Sequence, residues 1–231
     1  MRHYLAVFMT SIRRVAVTVV LAGLLMTSGC LGLVTGDQPT SFAASQATVS
    51  QNGLSNTGFQ HVDTQSVPFN RTFTVAGQTR TVNVTNWLSI YDQSVNVSGV
   101  GTYQAAGFVV FSTPGVQLAG QSLNPIGHVS NEQLVMQLQS QLGSVNTGGY
   151  DVNVRNVHQV GAENVTMLGK RTKMSEFAAT TTVNGQQVDV YLHVAKVKHD
   201  GDYVVAVGVY PQNLSSVEHQ RVVTLANSVQ H

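Results

Sequence analysis

Charge is the scarcest ingredient of this 231-residue chain: Asp, Glu, Lys and Arg together make up 10% of it, against the usual quarter. A nucleic-acid binder needs clustered Lys and Arg, so that class is excluded. A single cysteine, Cys30, rules out an internal disulfide. Gly-x-Ser-x-Gly is absent, which removes the nucleophile elbow of the α/β-hydrolases. Asn164–Arg171 approaches a phosphate loop through Gly169-Lys170, but it has Asn where the first glycine belongs and Arg171 at the Ser/Thr position. Gly99-Val100-Gly101 lacks the third glycine of a dinucleotide fingerprint. Ser, His and Asp occur without a pattern that makes them a triad.

The N-terminus carries the clearest information. Arg13 and Arg14 precede an apolar run, Val15–Met26, which small residues and Cys30 close as Thr27-Ser28-Gly29-Cys30. Twelve residues rise about 18 Å as a helix, short of the roughly 30 Å hydrocarbon core. Residues 1–29 therefore read as a signal peptide rather than a permanent span. The closing tetrapeptide resembles a lipobox, in which the cysteine is acylated and becomes the new N-terminus; Thr27 departs from the aliphatic residue usual there. Ser11–Val15 resembles part of a twin-arginine export signal, so both folded and unfolded export stay open, and so do Met1 and Met9 as starts. Cleavage before Cys30 removes Arg2, Arg13 and Arg14 and no acid, leaving 9 basic and 11 acidic residues, a formal charge of −2. The expected place is the outer side of the cell membrane, held by lipid at Cys30.

Residues 30–48 are rich in Gly, Gln, Ser, Thr and Ala and read as a flexible tether; residues 49–231 read as one α+β domain. Within it, Arg71–Val75 and Arg80–Ile90 flank Ala76-Gly77-Gln78 as a hairpin. Ala106–Ser112 reads as a short buried strand. Ser130 and Gln133 form a capping box, and Leu134, Leu138 and Leu142 define an amphipathic helix over 131–142 that Gly143 stops. Asn184-Gly185 and Asp200-Gly201 are tight-turn signals separating strands near 171–182, 187–198 and 203–210. In the second of these, Val188, Val190, Leu192 and Val194 form one apolar face. Ser215-x-x-Glu218 is a second capping box, opening a helix over 215–229 with Val222, Leu225, Ala226 and Val229 on one face. The sum is an antiparallel sheet, a hairpin plus a C-terminal three-stranded meander, with amphipathic helices on one side.

Cys30-Leu31-Gly32, Thr57-Gly58-Phe59, Ser112-Thr113-Pro114, Gly120–Pro125, Val190–Val194 and Val207–Pro211 resemble an uncharacterised lipoprotein family of halophilic archaea. That resemblance implies surface location and no activity, and the chain departs from salt-adapted relatives in having few acids. From Phe108 onward the element order is similar to PsbP-like α/β/α domains, which implies a sandwich.

His193, His199, Asp200 and Asp202 crowd the last turn, but a tight turn requires Asp-Gly in any case, and the expectation is a solvated turn with no metal or cofactor. His61, His128 and His158 stand without partners at ligand spacing. Trp87, Tyr91 and Tyr103 lie near strand ends as candidate exposed contacts for protein or glycan. Lys170, Arg171, Lys173, Lys196 and Lys198 suggest a small basic patch. Asn70, Asn83, Asn96, Asn164 and Asn213 each begin an N-glycosylation sequon. The favoured function is a non-catalytic binding or accessory module of the cell envelope; the alternatives are a solute- or lipid-binding lipoprotein and a hydrolase without a recognisable motif.

Overall fold

The computed structural model describes residues 40–75, 78–97, 101–118, 121–122, 124–141, 154–183 and 186–231. The leader and Cys30, with the residues up to 39, lie outside these. Strands dominate. In chain order they are β1 (Thr40–Ala43), β2 (Thr48–Val49), β3 (Gln60–Val75), β4 (Gln78–Val97), β5 (Gly101–Pro114), β6 (Gln117–Leu118), β7 (Gln121–Ser122), β8 (Arg155–Met167), β9 (Lys170–Val183), β10 (Gln186–His199), β11 (Asp202–Pro211) and β12 (Val229–Gln230). The helices among the described residues are α1 (Gln51–Thr57), α2 (Asn131–Gln141) and α3 (Ser215–Asn227). None of them is long and apolar enough to cross a membrane.

Eight strands make one sheet in the order β1-β4-β5-β11-β10-β9-β8, with β3 pairing to β4. The β4–β5, β5–β11, β11–β10, β10–β9 and β9–β8 pairings are antiparallel. The expected hairpin, buried strand and meander are all present, each longer than the sequence suggested. Asp200 and Gly201 turn the chain with φ of 44° and 93°, and Leu168 and Gly169 do the same with φ of 52° and 71°. The Gly169-Lys170 segment is thus a β8–β9 hairpin turn. Asn184-Gly185 lies outside the described residues.

The expected α+β class, PsbP-like order included, is corrected to a predominantly β architecture. The alternation that suggested one apolar face holds only for half the residues. Val190, Leu192 and Val194 do pack with Leu134 and Val135 of α2. The opposite parity is buried as well: Ala195, Val197, Val204, Ala206 and Tyr210 pack with Val222, Leu225 and Ala226 of α3 and Leu54 of α1. Helices therefore cover both faces, and β11 reads as a near-continuous apolar run because neither of its sides meets water. Long polar strands supply the remaining β structure. β3 and β8, rich in Gln, Asn and Thr, carry too few buried side chains to show a period.

Local chemistry explains the helix ends. The Ser130 amide donates to Gln133 Oε1 at 2.8 Å and the Gln133 amide to Ser130 Oγ at 3.2 Å, so the first capping box forms both ways. Asn131 then pins α2 to the sheet, its Nδ2 lying 2.9 Å from Val194 O and 3.1 Å from Ser175 Oγ. The second box does not form: Leu214 is the N-cap of α3, and Glu218 bonds Arg221 instead. Leu142 and Gly143 fall outside the described residues.

The chain divides into two compact units. One comprises Met1–Ser41 with Asn70–Asn83; in its hairpin the Thr72 and Thr81 hydroxyls lie 3.4 Å apart. The other comprises Phe42–Phe69 with Val84–His231. Packed structure in the second begins before the expected position 49. Ala44 and Ala47 are buried, the Ala44 amide donates to Thr85 O, and the Ser45 amide donates to Asp202 Oδ2 at 2.8 Å.

Candidate functional site

His193 is 1% exposed. It sits on β10 with Tyr191 and Ala195 on the side that α3 covers, opposite Glu176 of β9 and Gly208 of β11. Glu176 in turn faces Gly161 of β8, where a β-carbon would lie 2.9 Å from Glu176 Oε2, so the missing side chain leaves room for the carboxylate. Two residues along β8, Glu163 points to the same face. Helix α3 crosses above and contributes Glu218, His219 and Arg221.

These residues form one polar cluster between sheet and helix. His219 Nε2 is 2.9 Å from Glu163 Oε1. His193 Nε2 is 2.8 Å from the Tyr210 hydroxyl and 3.7 Å from Glu176 Oε1. The His193 and Tyr210 rings stack at 5.3 Å, while the His193 and His219 rings meet edge to face at 5.1 Å. Glu218 Oε1 accepts from Arg221 Nη1 at 2.6 Å, and its other oxygen, buried, has no hydrogen-bond partner among the described residues. The side-chain exposure of Glu163 (39%) and His219 (37%) opens the cluster to water on one flank.

Burial, and then repulsion from His219, pushes the His193 imidazole down to about 4. It is therefore neutral at physiological pH, with a lone pair available. Burial, followed by the charges of Glu176, Tyr191, Glu163 and Glu218, pushes the Tyr210 phenol up. The Tyr210 hydroxyl and His193 Nε2 share a hydrogen bond whose sense follows the imidazole tautomer: Nε2–H donates to the phenol oxygen when Nδ1 carries the lone pair. The residues able to hold a cation are Glu163, His193 and His219, whose donor atoms all lie within 4.8 Å of one another.

Of the four turn residues considered from sequence, only His193 belongs to this cluster. The others organise around Asp202, which is buried and accepts from Ser45 and from His231 Nε2 at 3.2 Å. His199 Nδ1 lies 3.2 Å from His231 Nδ1 and 3.6 Å from exposed Asp200. A solvated turn thus describes Asp200 and not Asp202. Glu163, Glu176, Tyr210 and His219 were missed, since they come from four separate elements. The one available signal was a histidine on the apolar-flanked strand Val190–Val197.

Other expectations fare variously. Tyr91, expected to be exposed, is buried at 2% and its hydroxyl accepts from the Val49 amide at 2.8 Å. Trp87 is half-buried in β4, and the Tyr103 side chain lies outside the described residues. Lys196 donates to Ile126 O and Val129 O, at 2.7 and 2.6 Å, fixing the 3-10 turn Pro125–Gly127. Lys170 donates to Lys198 O, and Lys198 Nζ sits 5.5 Å from the Tyr203 ring centroid. Three of the five basic residues are thus engaged locally. Among the sequons, Asn70, Asn164 and Asn213 are exposed, Asn83 is half-buried and Asn96 lies in β4. Arg13, Arg14 and Cys30 fall outside the described residues. A shallow polar concavity lies along β8–β10, lined by Asn156, His158, Thr180, Asp189, Tyr191 and Gln212.

No curated protein matches the sequence. A family does, over residues 46–230, a span that holds both helix-covered sheet faces and every residue of the cluster, and the chain belongs to that family: Domain of unknown function (DUF6517).

Proposed function

We propose that this chain is a lipid-anchored, extracytoplasmic accessory module that docks a protein of the cell envelope along strand β3. The leader Val15–Met26 followed by Thr27-Ser28-Gly29-Cys30 supports the anchor, with Arg13 and Arg14 ahead of it. Glycans on exposed sequons such as Asn213 would fit the same location, as would kinship with archaeal lipoproteins. The observation that carries the docking reading is the distribution of exposed apolar side chains. Of six large hydrophobics exposed among the described residues, Val62, Val67 and Phe69 all lie on β3, with Val67 and Phe69 two residues apart on one face. Helices cover the central strands on both faces, whereas β3 has β4 as its partner in the sheet. An edge strand that exposes apolar side chains is a template for strand addition by a partner.

The test is cross-linking on intact cells followed by capture and mass spectrometry, for wild type, Cys30→Ser and a Val62→Ser/Phe69→Ser variant. The expected result is one envelope partner captured by wild type and lost in both variants, with Cys30→Ser released into the medium. Cys30→Ser that still sediments with membranes refutes the anchor. A partner retained by the Val62/Phe69 variant refutes the docking strand.

A second reading, a small-solute binder, is favoured by the concavity beside Tyr191, whose ring meets that of Tyr210 edge to face at 6.1 Å. Native mass spectrometry of the purified chain separates the two readings: a bound small molecule supports this one.

A further inference from the structure

We propose that Glu163, His193 and His219 form a site for a single divalent transition-metal cation of the zinc class, with its remaining coordination position open to water. The site is independent of the anchor and of the β3 docking strand.

The donor set comes first. Two imidazoles and one carboxylate suit Zn²⁺ and its first-row neighbours, and three protein ligands with an open position are the pattern of accessible zinc sites. The three donors arrive from β8, β10 and α3, so tertiary packing has brought them within 4.8 Å of one another.

Glu163, Glu176 and Glu218 are three carboxylates gathered beneath one helix turn, and Arg221 is the cation that pairs with one of them. Three carboxylates against one guanidinium leave the cluster rich in negative charge, which suits a cation. Glu218, 3% exposed, is the carboxylate that Arg221 pairs, at 2.6 Å from its Oε1.

A metal-binding histidine nearly always has its second ring nitrogen held by a neighbour. His193 has that neighbour in Tyr210, whose phenol oxygen lies 2.8 Å from Nε2 and accepts its N–H when Nδ1 carries the lone pair, and whose ring stacks on the imidazole. Gly208, directly opposite His193 on β11, lets Val222 and hence α3 come close enough to place His219 over the sheet. The half-exposed pair Glu163 and His219 provides the entry path.

The decisive experiment uses the full chain, purified, stripped with chelator and titrated with Zn²⁺, and with Co²⁺ as a spectroscopic probe. A single tightly bound ion per chain is expected, with visible Co²⁺ bands of four- or five-coordinate geometry. Because replacing wholly buried His193 can unfold the sheet, the diagnostic variants are His219→Ala and Glu163→Gln. Each should weaken binding by about 100-fold or more while circular dichroism stays that of wild type. Tyr210→Phe should weaken it about 10–100-fold, the usual cost of losing a partner behind a ligand. His199→Ala, at the distant turn, should bind as wild type does. Wild type that takes up no stoichiometric metal overturns the proposal and leaves His219–Glu163 as an ion pair alone. Binding undiminished in both His219→Ala and Glu163→Gln overturns it equally.

Discussion

Val222 of α3 occupies the space that Gly208 of β11 leaves empty: a β-carbon at 208 would lie 2.5 Å from Val222 Cγ1 and 2.8 Å from its Cγ2. That close approach seats the helix on the sheet, and Val222 is itself fully buried.

Gly208→Ala should therefore destabilise the fold by about 1–3 kcal/mol, as overpacking does. Adding Val222→Ala should recover part of the loss. Urea midpoints of the two single variants and the double variant check this. Purely additive losses would show that the two residues do not compete for space.

The stability of the metal-free protein should fall on acidification. His193 is held at about 4, below its ordinary 6.5, so between these values the unfolded chain binds a proton that the folded chain does not. Its contribution is fully present above about pH 6.5, declines as pH falls toward 4 and is exhausted below that. The full span amounts to about 3 kcal/mol. The groups facing the ring are Glu163, Glu176, Tyr210 and His219. Denaturation midpoints from pH 4 to 8, in the presence of chelator, should show this limb for wild type. A His193→Gln variant that folds should show it flattened.

Asp202 ties the segment around Ser45 to the β10–β11 turn. Asp202→Ala should cost about 1–3 kcal/mol, since the Ser45 amide loses its bond to a charged acceptor. Hydrogen exchange at Ser45 should accelerate more than exchange at Val194 in mid-strand. Asp202→Asn keeps a carbonyl oxygen and should be milder. Unchanged exchange at Ser45 would mean that β1 and β2 hold that segment unaided.

Sequence alone revealed those elements whose signal is local. The Asp200-Gly201 turn, the Ser130/Gln133 cap and the period-3.6 pattern of Val222, Leu225 and Ala226 each depend on neighbours a few residues apart. The one-sided sheet was wrong because Tyr191, His193 and Ala195 look polar or neutral beside Val190, Leu192 and Val194. Their burial comes from a helix some twenty residues downstream. Strand β8 escaped notice for a related reason: as an edge strand it buries little beyond Val165 and Met167. With β8 unread, Glu163 could not be placed, and a site assembled from five elements stayed out of view. Glu218 shows the same limit in reverse. Its spacing from Ser215 fits a capping box, yet the pull of Arg221 and the sheet beneath redirects its carboxylate inward.

The pairing of β12 with β2 sets Val229 against Val49 and Gln230 against Thr48. Two segments from opposite ends of the family's span thus share a ladder, and His231 reaches Asp202 beside them. Folding cannot close this clasp until residues 229 and 230 are free to reach residues 48 and 49. During synthesis the stretch around Thr48 must wait for that partner while the strands between them are made. The seam where the domain begins is then the last part of it to be made fast.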